Sequence, residues 1–132
     1  LYDGILIKEN HIAAAGSISA VMAQAFALNS NKNIQIEVEN LAQLQEALSA
    51  GATNILLDNF SLALLNEAVM LNKRCGNNAV LEASGGITLQ NVREIALTGV
   101  DRISIGAITK NIQATDLSMR INPLFNPTLN PQ

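Results

Sequence analysis

The chain has 132 residues, a formal net charge of −3 and only 14% charged residues, against 48% hydrophobic and 3% aromatic ones. That is ample for one domain with a core but short for a complete eight-stranded (β/α) barrel of about 250 residues, and it offers no basic patch for nucleic acid or an anionic membrane. The single cysteine, Cys75, cannot close an internal disulfide, and no apolar run reaches the roughly 18 residues of a membrane span, so the chain reads as cytoplasmic and reduced.

The opening Leu1-Tyr2-Asp3 stands close to a strand already, an abrupt start expected of a piece of a longer protein. Gly4 to Lys8 reads as a buried strand with a cation at its end, and Glu9-Asn10-His11 as a polar loop. Small and apolar residues recur at helical spacing from Ser17 to Leu28, with Ser17 as the N-cap behind Gly16. After a polar turn at 29–33, Ile34 to Glu39 alternates strictly: Ile34, Ile36 and Val38 on one face, Gln35, Glu37 and Glu39 on the other. A barrel strand with its polar face inward and a solvated edge strand share this pattern, and only the neighbouring strands separate them.

Asn40 caps a helix through Ala50, stopped by Gly51. Asn54 to Leu57 is a strand ending in Asp58-Asn59-Phe60, and a helix from Ser61 to about Lys73 follows. The turn Gly76-Asn77-Asn78 leads to the strand Val80 to Ala83 and to the turn Ser84-Gly85-Gly86-Ile87; Thr88 then caps a helix that Gly99 stops. Arg102 to Ile105 is the strand before a second small-residue turn, Gly106-Ala107. Thr109 to Leu117 should form a short closing helix or turn, and the proline- and asparagine-rich stretch 122–132 a poorly packed tail after a domain of residues 1–121.

The strand ends Lys8, Glu37, Asp58, Ser84 and Gly106 are 29, 21, 26 and 22 residues apart, the length of one strand-helix unit. This βα repeat predicts an α/β fold, a partial (β/α) barrel of parallel strands alternating with helices. Right-handed crossovers then gather the strand C-termini, where such barrels build their sites, around one mouth. Two glycine turns there, each expected to feed a helix N-terminus, suit a phosphate, because a turn without Cβ lets backbone N–H groups approach an anion. Taken singly, such glycines also merely close turns. Glu37 and Asp58 suit sugar hydroxyls or Mg²⁺, or a cationic transition state; each is equally an ordinary strand-end acid when taken alone. Lys8 suits a phosphate or carboxylate as a point charge. Lys110 is within reach of a phosphate at Gly106, Glu82 shares strand parity with Ser84 and supports the site from behind, and His11 is a lone histidine more suited to a structural hydrogen bond. No His or Cys cluster has zinc-ligand spacing.

Five ordered stretches carry a resemblance: Leu6 to His11 (LIKENH), Ile36 to Leu41 (IEVENL), Leu56 to Phe60 (LLDNF), Leu81 to Ile87 (LEASGGI) and Gly99 to Lys110 (GVDRISIGAITK). With Asp116 to Met119, they resemble the carboxy-terminal half of the quinolinate phosphoribosyltransferases, the decarboxylating type II enzymes of NAD biosynthesis, from Leu1 to about Ile121. The resemblance implies conversion of quinolinate and phosphoribosyl pyrophosphate, with Mg²⁺, to nicotinate mononucleotide, pyrophosphate and carbon dioxide. It implies that Lys8 binds substrate anions, that Glu37 and Asp58 lie near ribose and metal, and that Ser84, Gly85 and Gly86 form one phosphate turn and Ile105, Gly106 and Ala107 the other. It implies a homodimer, and it implies that quinolinate recognition and an amino-terminal domain belong to sequence before Leu1, so that the segment alone should be inactive. The paralogue associated with molybdate transport shares the domain, and a non-catalytic phosphate-binding half-barrel is the remaining alternative, against which the acidic pair argues.

Overall fold

The computed structural model describes residues 4–28, 33–76, 79–110 and 114–119. Five strands, β1 (Gly4–Ile7), β2 (Asn33–Val38), β3 (Asn54–Asp58), β4 (Val80–Ser84) and β5 (Arg102–Ile103), form one sheet in the order β1-β2-β3-β4-β5, every pair parallel. Between them run α1 (Glu9–Ala15), α2 (Ile18–Leu28), α3 (Leu41–Ser49), α4 (Leu62–Arg74) and α5 (Val92–Leu97), and α6 (Ala107–Lys110) follows β5. Strands that neighbour one another in sequence also neighbour in space, as in a segment of a (β/α) barrel wall.

The alternation in β2 resolves as a barrel-type strand. Ile34, Ile36 and Val38 are buried with Ile55 and Leu57 of β3, Leu81 and Ala83 of β4, and Met22, Leu44 and Leu65 from the helices. Gln35 and Glu37 point to the opposite face, where Gln35 Nε2 donates to Glu82 Oε2 of β4 at 2.9 Å. β2 lies between β1 and β3 and is therefore no edge strand.

Three caps form where small polar residues precede an apolar helical run. Ser17 Oγ accepts from Ala20 N–H, Asn40 Oδ1 from Gln43 N–H, and Ser61 Oγ from Leu64 N–H. Gly51 and Gly99 hold left-handed backbone after α3 and α5, at φ of 83° and 88°.

Four expectations need correction. The stretch at Glu9-Asn10-His11 is the first turn of α1, not a loop: three alanines extend it, and His11 Nδ1 accepts the N–H of Lys8 at 3.0 Å, closing the helix start. Thr88 does not cap α5, which begins at Val92; its carbonyl accepts from Asn91 and Val92, while the Asn91 side chain bonds back to Thr88 N–H and the Gly86 carbonyl. β5 ends at Ile103 rather than Ile105, although Ser104 N–H still donates to Ala83 O. The closing helix starts earlier than Thr109, at Ala107, because Gly106 O accepts from both Thr109 and Lys110 N–H, and 114–119 carries no regular element. The 122–132 tail lies outside the described residues, as do 29–32 and 77–78.

Among the described residues no single helix is long and apolar enough to cross a membrane. The longer of the two apolar helices near the start, α2, buries Ile18, Val21, Met22 and Ala25 in the core.

Candidate functional site: a cleft between two glycine turns

Lys8 follows β1 and takes the N-cap position of α1. Its N–H is held by His11, and its carbonyl accepts from the N–H groups of His11 and Ile12, so the backbone that carries the amine is fixed on both sides. Lys8 Nζ lies 3.5 Å from Glu37 Oε2, with the lysine side chain 49% exposed and the glutamate 13%. The covered carboxylate is thus neutralised by a lysine whose tip still reaches water. As a contribution to stability such a half-exposed pair is worth well under about 1 kcal/mol; as chemistry it sets a cation beside the sheet's polar face.

Asp58 and Ser84 are register partners at the ends of β3 and β4. Pairing continues one step further through Asn59 N–H, which donates to Ser84 O at 2.9 Å. Asn59 makes that turn at φ 54°, the one non-glycine residue at positive φ among the described residues, a conformation asparagine tolerates better than most. Its Nδ2 donates to Asp58 Oδ2 at 2.7 Å. Opposite it, Gly85 and Gly86 run at φ of 90° and 59°. A Cβ on Gly85 would overlap the Asn59 side-chain amide and stand 2.9 Å from its backbone nitrogen, so this glycine is required by both conformation and space.

The second turn is looser. Ser104 follows β5, and its hydroxyl hydrogen-bonds Glu82, the same carboxylate that receives Gln35. A Cβ on Gly106 would meet only the stem of Lys110, at ordinary contact distances of 3.8 and 3.9 Å. The lysine stem therefore lies along this turn, and its ammonium supplies positive charge there.

The two turns face each other across a cleft of about 500 Å³. Of the residues singled out in the sequence, Asp58, Ser84, Gly85, Gly86, Gly106, Ala107 and Lys110 line it. Lys8, Glu37, Ile105, Glu82 and His11 do not; Lys8 and Glu37 form their own pair, His11 is committed to the α1 cap, and Glu82 lies behind the cleft, bound to Ser104. Asn59, Thr88 and Ser104 join the lining as well. The signal for Asn59 was an asparagine directly after a strand-end aspartate, and for Ser104 its shared parity with Arg102, the register partner of Glu82.

At the first turn the expected helix N-terminus is not in place. Residues 87–91 separate Gly86 from α5, so that turn works through its own backbone, whereas α6 starts directly behind Gly106. Chemically, the cleft combines glycine-turn backbone, the Ser84 hydroxyl, one ammonium and one carboxylate, the Ser104 hydroxyl proton being given to Glu82. A phosphate fits the first three; the Asp58 carboxylate repels a bare phosphate and suits instead hydroxyls, or a cation, attached to it.

The model of the quinolinate phosphoribosyl transferase C-terminal domain family matches residues 1–120. The chain belongs to this family. Among its relatives, a probable nicotinate-nucleotide pyrophosphorylase [carboxylating] of Bacillus subtilis is 42% identical over 122 residues, which are 92% of this chain and 41% of that protein. One from Methanocaldococcus jannaschii is 38% identical over 125 residues, 92% of this chain and 44% of that protein. The solved nicotinate-nucleotide pyrophosphorylase of Francisella tularensis superposes with a TM-score of 0.80 at 47% identity, covering 89% of this chain and 41% of that one. The chain thus spans about two fifths of the length of the quinolinate phosphoribosyltransferase relatives it matches, and the expected barrel-segment architecture is the one they share.

Proposed function

We propose that this chain supplies the phosphoribosyl-handling part of a quinolinate phosphoribosyltransferase, an enzyme that joins quinolinate to phosphoribosyl pyrophosphate and releases nicotinate mononucleotide, pyrophosphate and carbon dioxide. The observation that carries the reading is the cleft itself, in which two glycine turns and Lys110 meet the carboxylate of Asp58. The turns and Lys110 hold the 5-phosphate. Asp58 accepts hydrogen bonds from ribose hydroxyls and offsets the positive charge that grows on the ribose as pyrophosphate leaves. Lys8, balanced by Glu37, meets an acidic substrate group beside the cleft. Substrate groups beyond these are met by parts of the relatives outside the matched span.

Magnesium belongs to this reading only as an ion carried by pyrophosphate. Among the described residues no three His, Cys, Asp or Glu side chains converge, one Asp58 oxygen is engaged by Asn59, and Glu37 is engaged by Lys8. This donor set fits a Mg²⁺ that takes a carboxylate oxygen from Asp58 and the rest of its shell from phosphates and water. When bound, the ion neutralises charge on the leaving pyrophosphate. A homodimer is part of the same proposal and rests on membership of the family. The exposed thiol of Cys75 suits a reducing, cytoplasmic setting.

The test is a chimera in which residues 1–120 replace the matching span of the Bacillus subtilis relative, assayed for quinolinate-dependent carbon dioxide release. An active chimera that loses about a hundredfold in kcat on Asp58→Asn supports the reading. A folded chimera without quinolinate turnover, or one indifferent to Asp58→Asn, overturns it.

A further inference from the structure

Asn59 stands where three features of the cleft meet. Its backbone sits at φ 54°, its N–H extends the β3–β4 ladder to Ser84 O, and its side-chain amide donates to Asp58 Oδ2 while filling the space that a Cβ on Gly85 would need. Each contact alone would suit a turn residue. Together they tie the aspartate and the first glycine turn to one side chain.

We infer that Asn59 is a positioning residue: it aims the Asp58 carboxylate into the cleft and keeps the Gly85 turn in register with it, so that an anion on the turn and a hydroxyl or cation on the carboxylate are bound at a fixed separation. This rests on the phosphoribosyl reading for its ligand, though not for its geometry. The physical basis is the two-sided amide of asparagine. Nδ2 is a donor matched to a carboxylate, Oδ1 lies against the glycine backbone, and the left-handed turn that presents both is one that asparagine adopts at low cost. Aspartate at 59 would keep the turn but set a second carboxylate beside Asp58. Glycine would keep the turn and lose both contacts. A residue that served only to make the turn would be replaceable by glycine without consequence for binding.

The test combines a ligand-independent measurement with a double-mutant cycle on the full 132-residue chain. In the ¹H–¹⁵N spectrum without ligand, the Asn59 side-chain amide should resonate away from free asparagine amides and return towards them in Asp58→Ala. An Asn59 amide that already lies with the free amides, or that ignores Asp58→Ala, overturns the inference whatever the chain binds. In titrations with phosphoribosyl pyrophosphate and Mg²⁺, Asn59→Gly should weaken binding about tenfold, the scale of one charge-assisted hydrogen bond. The pair Asp58→Ala and Asn59→Gly should then lose clearly less than the sum of the two single losses, because part of what Asn59 does passes through Asp58. Fully additive losses would mark a merely structural role and overturn the inference. A wild-type chain that binds no phosphoribosyl pyrophosphate counts against the phosphoribosyl reading, and the amide spectrum then decides the role of Asn59 by itself.

Discussion

The two glycine turns of the cleft are built to different standards. At the first, Gly85 and Gly86 both hold positive φ, and Asn59 leaves no room for a Cβ at 85. At the second, Gly106 has neither constraint, since an added Cβ would only touch the flexible stem of Lys110. The fold itself therefore requires glycine at 85 and does not require it at 106. A glycine that the protein's own packing does not demand is better explained by something that binds over it.

That contrast can be broken by separating stability from affinity. Gly85→Ala should cost about 3 kcal/mol, the sum of a left-handed alanine and an overlap with backbone, read as a lower midpoint in urea unfolding; a loss below about 1 kcal/mol would mean that the turn relaxes easily. Gly106→Ala should leave unfolding within about 0.5 kcal/mol while weakening inorganic phosphate about tenfold, as expected if the new methyl displaces an anion from the turn backbone. Unchanged phosphate affinity would remove the reason to place a ligand there. Gly86→Ala should fall between, at about 1 kcal/mol, because its φ is left-handed but the space beside it is open. Lys110→Met should be smallest, about threefold in phosphate affinity at low salt and fading above 0.5 M as the charge is screened.

The sheet and its core were legible from the sequence because parallel strands and amphipathic helices repeat with a period of 21 to 29 residues, and because Ser17, Asn40 and Ser61 announce their helices by residue type. Helix α1 was hidden for the opposite reason. Its N-cap is Lys8, no capping residue by type, and the group that caps it is a histidine reaching back from the third helical position. The start of α5 was hidden by Thr88, whose capping chemistry goes unused because Asn91 bonds back across the turn. At the site, the strand ends could be placed on one rim, but their grouping could not. The sequence spacing puts Lys8, Glu37 and Asp58 on equal footing, whereas the structure pairs the first two with each other and gives the cleft to the third. Asn59 escaped because its partners, Ser84 and Gly85, lie 25 and 26 residues away and meet it only through the β3–β4 register.

The sequential strand order has a consequence for how the chain assembles. Each strand pairs with the one made immediately before it, so no strand pairing in the sheet waits for a segment more than one strand-helix unit away, although the Gln35–Glu82 side-chain bond spans two. Loop-closure entropy is then met in small, nearly equal steps, and the sheet can lengthen strand by strand during synthesis, each new unit docking on an edge already formed. Among the described elements the cleft is completed late, since its second wall arrives only with β5 and α6. A ribosome-bound chain stalled before residue 100 would carry most of the core and none of the completed site.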